Sequence, residues 1–348
     1  METITIKDVA RLCGVGVSTV SRAINNHPDI NAETKEMILK VIKEHNYIPN
    51  NSARNLKRTD SKSIAVLVKG ISNSFFSDII NVLEKEIKKK KYSMILHRVD
   101  YNEDEVDVAL ELVKEKRLRG FVFLGGYFMH APEKLRQLPV PFVLGTTGVV
   151  EDEQNLELYS SVSVDDEKES FRMTEHLCQT GHKRIAILCA KKGDCSIGKL
   201  RLDGYLRALK TYQLPYDEGL IWHMREDIED YSAENGYVLT KELLASGVPF
   251  DAIFAISDSM AMGACRALME EGKKIPEDYS VAGFDGIPMG KYYCPSITTI
   301  TQPAELMAGK MADILFKVIS KKERHKHIVL PAELTIRESV REPSGKSG

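Results

Sequence analysis

From Ser63 onwards the sequence alternates short β-branched and apolar runs with longer stretches of helical periodicity, and few architectures accommodate that alternation. Strands are expected at Ile64–Val68, Tyr92–His97, Gly120–Leu124, Pro141–Leu144, Ser161–Val164, Ile185–Cys189, Ala252–Ile256 and Ser280–Phe284. Helices are expected near Phe75–Lys90, Glu103–Lys116, Asp166–Thr180, Leu200–Tyr212, Tyr231–Ser246, Asp258–Glu271 and Ala304–Ser320. A strand followed by a helix, many times over, gives parallel sheets covered by helices on both faces. About 280 residues of this pattern is long for one open sheet, so two α/β lobes are expected. No internal repeat interrupts the reading.

Composition narrows the class. With 43% hydrophobic and 28% charged residues, the 348-residue chain fits neither a disordered nor a coiled-coil protein. The first thirty residues lack the apolar run of a signal peptide, and no uncharged apolar stretch reaches membrane-spanning length. A cytoplasmic protein with no membrane partner is therefore expected. Six cysteines without a CxxC pair read as reduced thiols, and neither a metal nor a cofactor is expected. The net charge of −2 conceals an asymmetry: residues 1–62 carry ten Lys and Arg against seven acids, and the remainder 38 against 43. A small basic module on a mildly acidic body suits a polyanion-binding head.

The first fifty residues read as three short helices. Ile6, Val9, Ala10 and Cys13 share a helical face, and Gly14 stands where a left-handed residue would end that helix. A second segment, Ser18 to Asn25, turns Val20, Ala23 and Ile24 inward. Asn31 is the N-cap of a third helix carrying Ile38, Val41, Ile42 and His45. In TIKDVARLCGVGVSTVSRAIN the small residue Ala10, the turn residue Gly14 and the apolar Val20 have helix-turn-helix spacing. The second helix would then present Val17, Ser18, Ser21, Arg22 and Asn25 to a major groove, with Arg22 suited to a bidentate guanine contact. Asn50 to Ser63 is polar and reads as a linker.

These residues carry a family resemblance. DVARLCGV, STVSRAINN and YIPNNSARNL, followed by SNSFFSDI, TGHKRIAIL, RLDGYLRAL, AISDSMAMGACRAL, YSVAGFDG and PSITTITQP, resemble the LacI/GalR family of bacterial transcription regulators in the family's own order. The resemblance implies an all-α helix-turn-helix head at 1–47, a hinge at 48–62, and a bilobed α/β core at 63–340, similar to periplasmic sugar-binding proteins. The N-lobe is expected at about 63–161 and 292–322, the C-lobe at about 162–291 and 323–340, and a flexible tail at 341–348. It also implies a homodimer on a palindromic double-stranded operator, under the control of a sugar or sugar derivative.

The resemblance assigns site residues as well. DNA contacts would come from Thr5, Ile6 and Lys7, from Gly16, Val17, Ser18, Thr19, Ser21, Arg22 and Asn25, from Asn31 and Thr34, and from Asn50, Ala53 and Leu56 in the hinge. Gly16 replaces the family's usual Ser at the cap of the reading helix, a small loss in helix stability. Leu56, one turn from Ala53, matches the leucine that wedges into the minor groove. Effector contacts would come from Asn73, Phe75, Phe76, Thr146, Arg201, Tyr231, Ser257, Asp258, Asp285 and Gln302. Ser257 stands where family members commonly have Asn. Asp258 opens a helix, so a capping role and a ligand contact both remain open for it.

No GxSxG, P-loop, HExxH or GxGxxG motif occurs, and an enzyme is not expected. Asp165–Asp166 reads as a strand end followed by helix-start caps. Two other readings share the core: a solute-binding transport component, and a global catabolite regulator whose effector is a phosphorylated carrier protein. Whether the effector releases or strengthens DNA binding stays open, because both use the same geometry.

Overall fold

The computed structural model describes residues 4–24, 27, 29–45, 47, 62–100, 102–126, 130–147 and 156–342. The hinge residues Asn50, Ala53 and Leu56, the reading-helix residue Asn25 and the tail at 343–348 lie outside them. The chain divides into two units, residues 1–61 and 62–348.

In the first unit, Thr5 and Asp8 form a reciprocal capping box at the start of α1 (Ile6–Leu12), with the Thr5 amide donating to Asp8 Oδ2 at 2.9 Å. Gly14 adopts φ +64°, the left-handed turn that lets α2 (Val17–Ile24) cross α1. Asn31 Oδ1 accepts from the Glu33 amide at 2.9 Å and starts α3 (Ala32–Glu44). Val9, Ala10, Val20, Ala23 and Ile38 close one small core among the three helices.

Among the described residues the second unit holds two six-stranded sheets. The first comprises β1 (Ser63–Lys69), β2 (Ser93–Val99), β3 (Leu118–Leu124), β4 (Phe142–Gly145), β5 (Ser160–Ser163) and β11 (His327–Val329). Its order is β11-β5-β4-β3-β1-β2, parallel throughout. The second comprises β6 (Ile185–Cys189), β7 (Ile221–His223), β8 (Ala252–Ala255), β9 (Ser280–Asp285), β10 (Thr298–Thr301) and β12 (Glu333–Thr335). Its order is β12-β10-β9-β8-β6-β7, with only β12 antiparallel. Central strands such as β6 and β8 are buried at every residue, as parallel strands between helical layers must be.

Helices cover both faces. The first lobe carries α4 (Phe75–Lys89), α5 (Glu105–Glu115), the short α6 (Pro132–Leu135) and α12 (Ala304–Ile319). The second carries α7 (Asp166–Gln179), α8 (Ile197–Thr211), α9 (Ala233–Ser246), α10 (Asp258–Glu270) and the short α11 (Pro288–Tyr292). α12 packs on α4 and on the β4 side of the first sheet, although it follows the last long strand of the second lobe.

The expected lobe boundaries require correction. Thr298–Thr301, assigned to the N-lobe by sequence, pairs with β9 and lies in the second sheet, whereas His327–Val329, assigned to the C-lobe, pairs with β5 in the first. β10 is held there by buried Thr298 and Thr299 and by the Ser339 hydroxyl, which accepts from the Thr298 amide at 2.9 Å. β11 is fixed by Ser161 Oγ, 2.9 Å from His327 Nδ1, and by Ser160 Oγ, 3.0 Å from His325 Nδ1. Among the described residues the chain thus crosses between lobes three times, at Val164–Asp165, Gln302–Pro303 and Leu330–Ala332.

Candidate functional site

Ligand clefts of open α/β sheets form at the carboxyl ends of strands. Here both sheets point those ends at one space. β1 runs out into Lys69, Gly70 and Asn73; β3 into Gly125 and Gly126; β4 into Thr146; β9 ends at Asp285 and β10 leads to Gln302. With Phe75, Phe76, Asp194, Ser196, Ile197, Arg201, Asp230 and Tyr231 they line one cleft, the place where small-molecule sites of such folds lie.

Arg201, on α8, is the hub of this cleft. Only 3% exposed, it donates from Nε to Asp166 Oδ1 at 2.8 Å and from Nη1 to the Ile256 carbonyl at 2.6 Å. Its Nη2 lies 3.6 Å from Asp285 Oδ1, and the guanidinium stacks 3.7 Å from the centre of the Phe284 ring. Asp285 also accepts from Gln302 Nε2 at 2.8 Å and, across the cleft, from Asn73 Nδ2 at 3.3 Å. Burial pushes the Asp166 carboxyl up to about 6 against the pull of Arg201, and raises Asp285 in the same way. A second link between the lobes joins the Ser72 hydroxyl to the Glu229 carboxylate.

Among the described residues, three that line the cleft and are not glycine hold positive φ: Thr146 at +71°, Tyr231 at +56° and Asp285 at +107°. Such conformations cost about 1–3 kcal/mol each and gather where the surrounding structure must aim a group at a ligand. The Thr146 hydroxyl is buried and has no hydrogen-bond partner among the described residues. Phe75 and Phe76 stand with ring centroids 5.8 Å apart at 51°, buried on the core side and bordering the cleft on the other.

Eight of the ten effector residues assigned from sequence therefore line one space: Asn73, Phe75, Phe76, Thr146, Arg201, Tyr231, Asp285 and Gln302. Ser257 and Asp258 do not. The Ser257 hydroxyl is itself the N-cap of α10, accepting from the Met260 amide at 3.2 Å and donating to the Tyr231 carbonyl at 3.1 Å. Asp258 lies behind β9, accepting from the Ile287 amide at 2.7 Å, with its carboxyl pushed up to about 8 by burial and then by the nearby Asp285 charge. Asp165 is the cap expected at the start of α7, but Asp166 is the partner of Arg201 rather than a second cap. Sequence reading missed Lys69, Gly70, Gly125, Gly126, Asp194, Ser196, Ile197 and Asp230. The glycine pair at the end of an apolar strand is the one local signal that could have pointed to them.

In the first unit, the outer face of α2 exposes Val17, Ser18 and Arg22. Arg22 pairs loosely with Asp29 at 3.5 Å, both side chains more than half exposed, so its guanidinium can be redirected at little cost. Gly16 does occupy the cap position of α2, its carbonyl accepting from the Thr19 amide at 2.9 Å. Thr5, Lys7 and Asn31 are exposed, Ile6, Thr19, Ser21 and Thr34 partly so.

Comparison with known proteins agrees with both units. Residues 5–50 match the bacterial regulatory proteins of the lacI family, and residues 174–340 match the periplasmic binding protein-like domain. The HTH-type transcriptional regulator MalR of Clostridium butyricum is 41% identical over 339 residues, 96% of this chain and 98% of that protein. Among solved structures, a CelR–cellobiose complex has a TM-score of 0.70 at 29% identity, covering 97% of this chain and 99% of its own. The lac repressor dimer bound to operator and the anti-inducer ONPF has a TM-score of 0.72 at 26% identity, with the same coverage. A helix-turn-helix unit, a bilobed core and these likenesses along nearly its whole length make the chain a member of the LacI family of DNA-binding transcription regulators.

Proposed function

We propose that this regulator binds a palindromic operator as a homodimer and that a small sugar or sugar derivative, held between the lobes, sets its operator affinity. The observation that carries the reading is the cleft itself. Two aromatic rings border a space into which carboxylates, an amide pair and a buried hydroxyl without a partner among the described residues converge from separate strand ends. Aromatic faces with directed polar groups suit a ring that is apolar above and below and hydroxylated around its rim. A cytoplasmic location follows from work on chromosomal DNA.

Coupling would act through closure of the lobes. The linker enters the core at β1, whose far end supplies Lys69 to the cleft. A ligand that favours one closure angle thereby biases the hinge segments of a dimer, typically by about 1–3 kcal/mol. On the operator, residues 50–58 would fold as paired helices and Leu56 would wedge into the minor groove; so short a helix is marginal alone.

The test is anisotropy of a labelled palindromic duplex, chosen by selection from a random pool, titrated with protein in the presence of ribose, glucose, maltose or cellobiose. Operator affinity should change about fivefold or more with at least one sugar. Selection that yields no palindrome, or affinity indifferent to every sugar, would overturn the reading.

A further inference from the structure

Among the described residues two that line the cleft are cationic, Lys69 and Arg201, and both are engaged before any ligand arrives. Arg201 spends its donors on Asp166, Asp285 and the Ile256 carbonyl. Lys69, 8% exposed at the end of β1, donates to the Glu103 carbonyl at 2.8 Å and to Glu105 Oε2 at 3.3 Å. Glu105, 5% exposed at the start of α5, is held from its other oxygen by His130 Nε2 at 3.3 Å. At Gly126 a Cβ would stand 3.3 Å from both the Lys69 stem and Glu105 Oε1, so the Gly126 backbone lies close against the pair. The opposite wall carries two carboxylates, one of them paired with a lysine. Asp194 accepts from the Ser196 amide at 2.6 Å, and Asp230 lies 2.8 Å from Lys191.

We propose that Glu105 is a specificity-determining residue of the cleft: by occupying the Lys69 ammonium in a buried ion pair, it commits the site to uncharged, hydroxyl-rich ligands and turns away phosphorylated ones. The inference rests on the sugar reading above and narrows it. A phosphate carries nearly two negative charges and must leave water to enter. Desolvating it is repaid only by free cations, and here it would meet carboxylates instead. A neutral sugar has the opposite fit, since each hydroxyl can donate a charge-assisted hydrogen bond to an aspartate. Glu105 stays ionised: burial alone would raise its carboxyl, but the His130 bond, a backbone amide and the Lys69 charge together hold it below the usual range. Without that charge the Lys69 ammonium becomes a point-charge phosphate site.

Calorimetric titration of the full-length protein with ribose, glucose, maltose and cellobiose, and with each sugar phosphorylated on its terminal hydroxyl, decides the matter. For whichever pair binds, the wild type should prefer the neutral member by at least about tenfold, and Glu105→Gln should erase most of that preference through a gain on the phosphate. Adding Lys69→Met to Glu105→Gln should cancel the gain. Circular dichroism checks that the variants fold, and where Glu105→Gln does not, the wild-type ratio decides alone. A wild-type ratio near one, or a folded Glu105→Gln with an unchanged ratio, would overturn the assignment of Glu105 while leaving sugar control standing. Binding of neither series would overturn sugar control, and this inference with it.

Discussion

Replacing Arg201 by methionine should test whether the cleft is built around a charge. Methionine keeps the length and the contact with Phe284 but removes every donor, leaving Asp166 and Asp285, 2% and 3% exposed, facing each other without a cation. Breaking a buried pair from one side typically costs about 3–5 kcal/mol, because the remaining charge has no partner. At roughly 2–4 °C per kcal/mol for a core of this size, the melting temperature should fall by roughly 6–20 °C at pH 7.5. The pH dependence gives the sharper signature. Asp166 already has its folded-state carboxyl raised from 3.8 to about 6. A raised acid binds more protons in the folded state, so its contribution is complete below pH 4 and is lost as pH rises through 6. Removing Arg201 raises both carboxyls further, so the deficit should shrink on acidification from pH 7.5 to 5. Urea denaturation of wild type and variant across that interval measures it. A deficit under about 1 kcal/mol at pH 7.5, or one independent of pH, would refute the description of Arg201 as the electrostatic hub.

Three further expectations follow from single positions. Thr146→Val should change stability by less than about 1 kcal/mol, because the hydroxyl it removes has no partner among the described residues, yet should weaken effector binding about tenfold in a calorimetric titration; unchanged affinity would remove Thr146 from the contact set. Gly14→Ala should destabilise the helical head by about 1 kcal/mol through its φ of +64°, since none of the described residues lies within 4 Å of the new Cβ; hydrogen exchange on α1 and α2 amides would report it. Arg22→Ala should cost about 1–3 kcal/mol of discrimination between operator and random DNA at matched salt while the core remains folded, and equal discrimination would remove Arg22 from the base-reading set.

What the sequence discloses depends on how far apart the partners lie. The apolar runs Ile185–Cys189 and Ala252–Ile256 announce buried strands by themselves, and the structure ends the second only one residue earlier. Thr298–Thr301 gives no such signal, because three of its four residues are threonines whose burial depends on Ser339 and on β9 beside it. His327–Val329 is too short to register, and the imidazoles of His327 and of His325 just before it look like surface groups until Ser161 and Ser160 are set opposite them. The lobe boundaries were misplaced for that reason. In the cleft, residues with a family counterpart are legible by resemblance, but their roles are not. Ser257 reads as a ligand contact and is a helix cap; Asp166 reads as a cap and is the counter-ion of Arg201. The Lys69–Glu105 pair spans 36 positions between a strand end and a helix start, and nothing in either local pattern requires the other.

The three crossings between the lobes have a mechanical consequence. A pair of bodies on a single tether can swivel freely and is severed by one cut. Here the first and third crossings are stitched together where the Leu330 amide donates to the Ser163 carbonyl at 2.8 Å, and the second passes beside Gln302, which grips Asp285. A protease that nicks one passage leaves two others holding the halves in register. The same redundancy restrains torsion, since a twist about any one passage must stretch the other two. What remains soft is opening and shutting about the shared line, as with the covers of a bound book, so an event in the cleft reaches the rest of the molecule as an angle.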